Sequence, residues 1–423
     1  MNDSNLFLVL AFDHPTRAVE SVGVRMAAGL SALGFNATVL SLPRDLATLT
    51  QLAPSQVSGV LSLGPLPLQA RIGERRLWEH FTCPVSVYML DAILYDMARV
   101  PVMGDFLNAA RSDSRLGLVS PESGYRDWLG KTLAVQWDHV PFAAFPCVQR
   151  GAFAHAAGPE PVVLPRVAVI GTIGNELGGT PAGEALPDLL ARVGGSLATA
   201  DRLADLHDAI VAPGADNMPA LTVARTLGWG PERAFDRPSL ALMVGVDSWV
   251  KRDRRIQAVA SLAGVAVDFY GTGWQEQFGA TPGFNYIGRV RHDDIARVLA
   301  HYRATLNFDP CWQGGVHDRV YSAAAMGTHV FTNTNTGLAG AGLPADLVTT
   351  YDPTRPQLAA LVRASGVLES MATTSARADV LARHNWASRM ADWLCAGRAP
   401  RASAPAPASA RALVREDEVA QVA

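Results

Sequence analysis

The sequence contains little cysteine. Its 423 residues include four cysteines, at Cys83, Cys147, Cys311 and Cys395, and no two of them lie close together in the chain. A zinc knuckle or a Cys-x-x-Cys redox pair needs closely spaced thiols, so the sequence predicts neither kind of site. Four scattered thiols in a chain of this length suit a reducing compartment, where each serves as a small buried apolar side chain.

Long apolar runs and an excess of charge of either sign are also missing. No stretch has the ~18 consecutive apolar residues of a membrane-spanning helix. The first apolar run, Leu6–Phe12, is too short for a signal peptide and has no basic segment before it. The 36 basic and 39 acidic residues give a net charge of -3, which predicts no general attraction to nucleic acid or to an anionic membrane. We therefore expect a soluble, cytoplasmic protein with no transmembrane segment and no nucleic-acid partner.

What the sequence does contain is apolar material for two domains. Hydrophobic residues make up 49% of the chain and charged residues 18%, which suits large buried cores. In the first third, a helix is predicted over residues 18–33. Strands are predicted over residues 6–12, 37–40, 59–62, 85–90 and 116–119. This βαβ opening predicts a parallel sheet with right-handed crossovers and with ligands at the carboxyl ends of its strands.

A second series of strands and helices follows a linker rich in Ala, Gly and Pro at residues 151–165. Strands are predicted over residues 167–171, 265–270, 284–287, 304–308 and 329–332, and helices over 239–262, 293–301 and 319–326. The start of the long helix, SLALMVGV, also fits a strand. Between the first of these strands and the long helix, the pattern is helical without a convincing strand.

Together, the two series predict an α/β fold of two Rossmann-like, doubly wound domains that face a cleft. The predicted boundaries are 1–155 for the N-terminal domain and 160–380 for the C-terminal domain, which carries a helical insert at about 175–237. A closing helix is predicted at 381–397. The Ala/Pro-rich tail at 398–423 is expected to be disordered.

The most informative pattern lies in the loop and helix start that follow the strand predicted at residues 304–308. The loop contains a glycine pair and the helix opens with a His-x-Arg motif, at Gly314, Gly315, His317 and Arg319. Free backbone N–H groups at a helix start suit a diphosphate, to which the imidazole and the guanidinium can add charge-assisted hydrogen bonds. An ordinary helix start capped by Asp318 fits the same residues equally well.

This segment resembles the donor-binding segment of group 1 glycosyltransferases with the GT-B fold, and within them the spore-maturation-protein-like branch. That branch shows Leu-Asn, a short loop and His-x-Arg-hydrophobic-aromatic-x-Ala-x-x-x-Gly. This chain supplies Leu306, Asn307, His317, Arg319, Val320, Tyr321, Ala323 and Gly327. The upstream segments YGTGW and YIGRVRHDDIARVLAHYRATLNF resemble the same branch. The resemblance covers roughly residues 265–338, and in the N-terminal half it rests on VYMLDAIL around Asp91.

The resemblance implies a nucleotide-sugar donor held mainly by the C-terminal domain. The donor-binding residues that it implies are Arg254, Arg255, Gly271, Thr272, Gly273, Trp274, Asn307, Gly314, Gly315, His317, Arg319 and Asn333. Two of these features also have plainer explanations. A Gly-x-Gly after a strand is also a tight turn, and the basic cluster at residues 251–255 is also a solvated helix face.

The sequence departs from these relatives in two places. Many retaining relatives carry two glutamates eight residues apart around this helix, where this chain has Gly314 and Ser322. The related branch often has Asp before the strand-end Asn, where this chain has Thr332. The carboxylate that would bind the donor ribose or sugar is therefore not identified, and retention or inversion stays open.

Charge development predicts how such an enzyme works. Glycosyl transfer leaves negative charge on the diphosphate, and fixed N–H groups, a helix dipole and Arg/His donors stabilise it. These groups can take the place of a divalent cation, and we see no Asp-x-Asp motif to hold one, so we expect a metal-independent enzyme without a cofactor. An inverting reaction also needs a base from the N-terminal domain. The candidates are Asp13, His14 and Asp91, which also fit helix caps or a hydrogen-bonded loop histidine.

The expected function is transfer of a sugar from a nucleotide-diphosphate sugar to a glycan, a lipid-linked sugar, a protein or a small molecule. One alternative is a catalytically silent GT-B module that binds a nucleotide or a protein partner. Another is a sugar-nucleotide epimerase. The missing glutamate pair favours the silent module, whereas His317, Arg319 and the glycine loop favour the enzyme.

Overall fold

The computed structural model describes residues 6–14, 17–144, 163–173, 183–214, 217–309, 312–369 and 374–395. Within these ranges the chain forms two six-stranded parallel sheets and one short antiparallel ribbon. The strands are β1 Leu6–Phe12, β2 Asn36–Leu42, β3 Val57–Leu63, β4 Arg71–Ile72, β5 Arg75–Arg76, β6 Val85–Tyr88, β7 Leu116–Ser120, β8 Gln136–His139, β9 Leu164–Ile170, β10 Val267–Tyr270, β11 Phe284–Gly288, β12 Tyr302–Leu306, β13 His329–Asn333 and β14 Val348–Tyr351.

The first sheet has the order β2-β1-β3-β6-β7-β8, and all of its strands run parallel. The five strands predicted in this half are confirmed, with shifts of one or two residues at their ends. The sixth strand, β8, was not predicted. Its sequence is the short QWDH, and it lies at the edge of the sheet, where only two of its four residues are buried.

The second sheet has the order β11-β10-β9-β12-β13-β14 and is also parallel throughout. Its five predicted strands are confirmed, and β14 is the one that the sequence pattern missed. The strand order reverses between β9 and β12, as it does between β1 and β3 in the first sheet. Such a reversal opens a crevice at the carboxyl edge, where ligands bind in open α/β sheets.

Helices connect these strands. The α-helices are Ala18–Ala32, Leu46–Gln51, Leu77–His80, Ile93–Arg99, Val102–Ala110, Gly124–Leu133, Leu186–Leu189, Ala200–Val211, Pro219–Leu227, Arg237–Ala260, Trp274–Phe278, Ile295–Leu299, Asp318–Ala325, Thr336–Ala341, Leu358–Ser365, Thr374–Arg383 and Trp386–Cys395. The longest, Arg237–Ala260, confirms the helix predicted at 239–262 over its strand alternative. It starts where the Asp236 carboxylate accepts the N–H of Ser239 at 3.2 Å and Pro238 occupies the first turn.

The helices that precede Arg237–Ala260 pack on the N-terminal half of the chain. Leu206 and Leu221 from these helices, and Met243 from the long helix, belong to one apolar cluster with Val85 and Phe106. The predicted insert at about 175–237 consists of helices, turns and loops in its described parts, 183–214 and 217–237, and no strand occurs there. The insert and the long helix therefore join the two halves of the molecule through a common core.

The C-terminal helix also connects the two halves. Trp386–Cys395 packs against Ala18–Ala32. The approach is so close that a Cβ on Gly29 would lie 2.8 Å from the carbonyl carbon of Trp386. The indole of Trp393 meets the ring of Phe7 edge-on at 6.1 Å. Of the linker predicted at 151–165, residues 151–162 lie outside the described residues, whereas Leu164 and Pro165 belong to β9, so the linker was predicted too long at its C-terminal end. The predicted tail at 398–423 lies outside the described residues, as do Cys147 and Cys311.

Candidate active site

The loops after β9 and β10 cross closely at the carboxyl edge of the second sheet. A Cβ on Gly271 would lie 1.7 Å from the carbonyl oxygen of Gly171, and one on Gly273 would lie 1.9 Å from that of Ile173. Both positions also have a positive φ, of 152° and 85°. Only glycine allows this approach. The carbonyl of Thr272, between the two glycines, accepts the N–H of Ile173 at 2.9 Å.

The side chain of Trp274 is hydrogen-bonded to one of the two crossing loops. Its indole N–H donates to the Gly171 carbonyl at 2.7 Å, and the side chain is only 1% exposed. Its ring stacks with Phe278 and Phe308 at centroid distances of 6.3 and 6.2 Å. The predicted donor segment therefore lies at the strand ends, with its tryptophan side chain in the core and its glycine backbone at the crossing.

His317 and Arg319 open the helix Asp318–Ala325 beside this crossing. The guanidinium of Arg319 donates to the carbonyl of Ile170, the last residue of β9, at 2.6 Å. Its other amino group lies 3.5 Å from Nε2 of His317. Arg319 therefore reaches across the reversal of the strand order, which is the position where the sheet topology predicts an anionic ligand.

His317, and not Asp318, is the N-cap of this helix, so the cap expected from the sequence is wrong. Nδ1 of His317 accepts the N–H of Arg319 at 3.2 Å. The same Nδ1 also lies within hydrogen-bonding distance of the Asp318 carboxylate. A neutral ring caps the helix, whereas an imidazolium donates to the carboxylate. Because the His317 side chain is 28% exposed, its ring can also meet a ligand.

Asp318 is buried behind the helix start. One of its carboxylate oxygens lies 3.3 Å from Nε2 of His292. Burial raises the pKa of Asp318, but the neighbouring His317 and His292 outweigh burial and hold it well below its ordinary value. Asp318 is therefore an anion that lies beside two histidine rings at this end of the helix.

A buried amide network fixes the loop after β12. The Asn333 side chain accepts the Asp309 N–H at 2.6 Å and donates to the Asp309 carbonyl at 3.0 Å. The Asn307 amide donates to Oγ1 of Thr332 at 3.1 Å. Both asparagines are 1% exposed. Two residues that the resemblance assigned to donor binding thus hold the strand ends together in this structure.

Asp309 lies at the centre of this network. Burial raises its pKa, and the nearby His317 and Arg319 oppose that effect. Its Oδ1 and the Oδ1 of Asn307 are buried acceptors without a hydrogen-bond donor in the part of the chain that the structure describes. Buried acceptors of this kind are uncommon in folded proteins.

Two arginines of the long helix add positive charge at the carboxyl edge of the second sheet, which we call the positive edge. Arg254 is 6% exposed and donates to Oδ1 of Asn217 at 3.1 Å. Arg255 donates to the carbonyl of Thr172 at 3.1 Å, with its guanidinium 5.9 Å from the Phe308 ring centroid. The burial of Arg254 excludes a purely solvated helix face for this position.

The glycine loop contacts the N-terminal half of the chain. The N–H of Gly314 donates to both carboxylate oxygens of Glu122, at 3.0 and 3.2 Å. Glu122 follows β7 and is 3% exposed. Burial raises its pKa, although the backbone N–H groups of Gly124, Gly314, Gly315 and Gln313 act in the opposite direction. The amides that we expected to hold a diphosphate therefore hold a carboxylate in this structure.

The three predicted base candidates lie along the carboxyl edge of the first sheet. Asp13 and His14 follow β1, Asp91 follows β6, and all three are exposed. The Asp13 carboxylate accepts the Ser41 hydroxyl at 2.7 Å and lies 3.6 Å from the Arg44 guanidinium. The His14 ring meets Phe12 edge-on at 5.9 Å. None of these contacts assigns a catalytic role.

Two site residues were missed from the sequence, Glu122 and Asp309. Asp309 directly follows the strand predicted at residues 304–308, and its contacts with Asn333 join residues 24 positions apart in the chain. Glu122 stands two residues after the end of β7, and this position at a carboxyl strand edge was the available signal. Its partner Gly314 lies 192 residues away, so no local pattern indicates the contact.

Two further kinds of site were sought in the described ranges. These residues contain no group of three or more His, Cys, Asp or Glu side chains arranged to hold a metal ion. No helix among them is long and apolar enough to span a bilayer.

Comparison with known proteins adds a family match over part of the chain. Residues 252–395, about one third of the chain, match the family model described as glycosyl transferase-like. This segment contains the long helix's arginines, the glycine loop and the His-x-Arg motif. No protein with a curated function matches the chain.

Solved structures resemble the chain over almost its whole length. Sucrose-phosphate synthase from Thermosynechococcus elongatus has a TM-score of 0.51 at 11% identity, and the match covers 93% of this chain and 98% of that one. HepE from Anabaena, in complex with UDP-glucose, has a TM-score of 0.49 at 11% identity, and covers 93% of this chain and 100% of that one. Together with the two parallel sheets, the similarity to sucrose-phosphate synthase shows that this protein has the GT-B fold of two Rossmann-like domains.

Proposed function

We propose that this protein is a glycosyltransferase that takes its sugar from a nucleotide-diphosphate sugar. One observation carries the proposal: where the strand order of the second sheet reverses, Arg319 and Arg255 donate to the backbone at the end of β9, and His317 lies beside Arg319. The match of residues 252–395 to a glycosyl transferase-like family supports the same reaction class. The spore-maturation-protein-like branch, inferred from the His-x-Arg segment, remains part of this proposal.

The positive edge suits the chemistry of the leaving group. As the glycosidic bond breaks, negative charge grows on the diphosphate, and prearranged guanidinium, imidazole and amide N–H donors stabilise it. Arg319 and His317 act at the start of the helix Asp318–Ala325, where the helix dipole adds positive potential. The N–H groups of Gly314 and Gly315 are the neighbouring donors. We propose that these groups replace a divalent cation, so that the reaction is metal-independent.

The acceptor side belongs to the first sheet in this proposal. A base at its carboxyl edge takes the proton of the acceptor hydroxyl in an inverting reaction, and the proposed candidates are Asp13, His14 and Asp91. The acceptor is a glycan, a lipid-linked sugar, a protein or a small molecule. Because its few, scattered thiols suit a reducing compartment, we propose that the protein works in the cytoplasm.

A panel of nucleotide sugars tests the proposal. Purified protein is incubated with UDP-, GDP- and dTDP-sugars, with and without representatives of the four acceptor classes, and free nucleotide is measured. We expect one nucleotide to be released, faster when an acceptor is present. Failure of every nucleotide sugar to bind, measured by calorimetry, contradicts the proposal.

A second candidate is a catalytically silent nucleotide-binding module. Gly314 and Ser322 stand where many retaining relatives have glutamates, and this absence favours the candidate. Saturable binding of one nucleotide sugar without release of nucleotide, in the presence of all acceptor classes, supports the silent module. An isomerised sugar among the products indicates an epimerase instead.

A further inference from the structure

The carboxylate of Glu122 reaches from the first sheet to the glycine loop of the second. It accepts the N–H of Gly314 at 3.0 and 3.2 Å and, on its own side, that of Gly124 at 2.6 Å. The amides of Gly315 and Gln313 also stabilise its ionised form. Backbone N–H groups clustered in this way form a binding site for an anion. In this structure the anion is a side chain of the protein itself.

The backbone around Glu122 closes over the same loop. A Cβ on Gly314 would lie 2.0 Å from the Ser123 hydroxyl, and one on Gly315 would lie 2.3 Å from the Pro121 carbonyl oxygen. The two glycines are therefore in direct contact with the segment that follows β7. A ligand as large as a diphosphate can reach these amides only if that segment moves away from the loop.

We propose that Glu122 is an internal substitute for the donor diphosphate, and that donor binding displaces it from the glycine loop. This inference rests on the proposed function, since the displacing anion is the diphosphate of the donor. The two anions compete for the same N–H groups, and only one of them binds at a time. Departure of Glu122 separates the residues after β7 from the loop, so donor binding opens a contact between the two sheets.

The exchange of Glu122 for a diphosphate at the glycine loop also affects the residues that follow the loop. The loop leads directly into His317 and Arg319, the side chains proposed to bind the same diphosphate. While Glu122 holds the loop, these two side chains keep their contacts with the helix start and with Ile170. When Glu122 leaves the glycine loop, the backbone N–H groups of the loop become available to the diphosphate that binds beside His317 and Arg319.

The contact can be tested without any ligand. Amide hydrogen exchange is measured over residues 312–317 in the wild type, in Glu122→Ala and in the isosteric Glu122→Gln. We expect exchange at Gly314 and Gly315 to be about tenfold faster in both variants, the factor that one charge-assisted hydrogen bond contributes. Asp127→Asn is the control, because it removes a nearby carboxylate that is 72% exposed and pairs only with Arg126 among the described residues. Unchanged exchange in both Glu122 variants overturns the proposal.

Inorganic pyrophosphate and free UDP, GDP and dTDP test the competition. Calorimetry should show pyrophosphate binding about tenfold tighter to Glu122→Ala and Glu122→Gln than to the wild type or Asp127→Asn. Equal affinity for all four proteins overturns the competition, even if exchange is faster. The proposed function fails separately, when no nucleotide sugar binds to any of the proteins although exchange and pyrophosphate binding respond to Glu122.

Discussion

The carboxyl edges of the two sheets differ in how far their polar side chains are fixed. At the second sheet, Arg254, Asn307 and Asn333 are almost fully buried. The two asparagines join one strand end to the next, and Arg254 donates to Asn217 of the insert. At the first sheet, Asp13 and Asp91 stand exposed after their strands. The second edge thus has buried, hydrogen-bonded polar groups with cationic neighbours, whereas the first edge is exposed and acidic at the ends of β1 and β6.

This difference matches the demands of the two substrates in the proposed reaction. A diphosphate needs donors that are already in place, because electrostatic stabilisation is greatest when nothing has to reorganise. An acceptor hydroxyl needs one base with access from solvent, and the bound acceptor can complete that side of the site. The comparison therefore predicts that mutations of the exposed acidic groups at the first edge change kcat, while mutations of the cationic groups at the second edge change donor binding.

The largest expected effect is on turnover, from removal of the base at the acidic edge. We compare Asp13→Asn, His14→Gln and Asp91→Asn, and expect Asp91→Asn to be the most damaging, because Ser41 and Arg44 already engage the Asp13 carboxylate. Loss of a general base lowers kcat by roughly 10²–10⁴-fold and leaves donor KM unchanged. Steady-state kinetics with the donor found by the panel measures both. If none of the three changes lowers kcat more than about tenfold, the first edge supplies no base.

Arg319→Ala should have the next largest effect, this time on donor affinity. The guanidinium spans the strand reversal, and the loss of its charge-assisted hydrogen bonds to a diphosphate weakens binding by about 100-fold. Calorimetric titration with the nucleotide sugar measures the change. Arg297→Ala is the matched control, because Arg297 is 55% exposed and pairs with Asp294 at 2.9 Å on a surface helix. Unchanged affinity removes Arg319 from the donor site.

A smaller effect is expected on stability at the acidic edge. Burial, and secondarily the charge of Asp91, raises the pKa of Asp96 from 3.8 to about 7. A carboxyl group with a raised pKa in the folded protein lowers stability above that pKa and costs nothing below the unfolded value. The shift sets an upper bound of about 4 kcal/mol, and since solvent reaches part of the side chain we expect about 1–2 kcal/mol.

Asp96→Asn should therefore stabilise the protein at pH 8 and have little effect near pH 4. Urea unfolding at the two pH values measures the difference in the free energy of unfolding. Asp205→Asn serves as the control, because Asp205 is 63% exposed and far along the chain from this edge. An equal effect of Asp96→Asn at both pH values would show that burial does not raise the pKa of Asp96 in the folded protein.

The sequence predicted the strands of the two sheets equally well, with one edge strand missed in each. Ten of the twelve strands of the two sheets follow from apolar runs that end at turn-forming residues, and the His-x-Arg motif was found because its residues are close together in the chain. The strands β8 and β14 were missed because each is a short edge strand with polar residues on its open side. A run of apolar residues indicates a strand that is buried on both faces of a sheet. Edge strands such as β8 and β14 lack such a run.

The contacts that complete the site join residues far apart in the chain. The burial of Arg254 depends on Asn217, and the Glu122 carboxylate meets a loop almost two hundred residues later. Neither contact leaves a periodic pattern in the sequence, because each depends on how the two sheets and the insert pack. Helix periodicity alone therefore could not distinguish a buried Arg254 from a solvent-exposed one.

The smallest expected effect concerns metal ions, and it tests whether the positive edge is sufficient by itself. If Arg254, Arg255, Arg319 and His317 supply the positive charge for the diphosphate, then removing divalent cations with EDTA should change donor affinity and kcat by less than about twofold. Initial rates are measured in EDTA and after addition of excess Mg²⁺ or Mn²⁺. A many-fold increase with either ion shows that the guanidinium groups do not replace a cation. In that case the acidic edge of the first sheet, with its exposed Asp13 and Asp91, is the first place to look for the ligands of that ion.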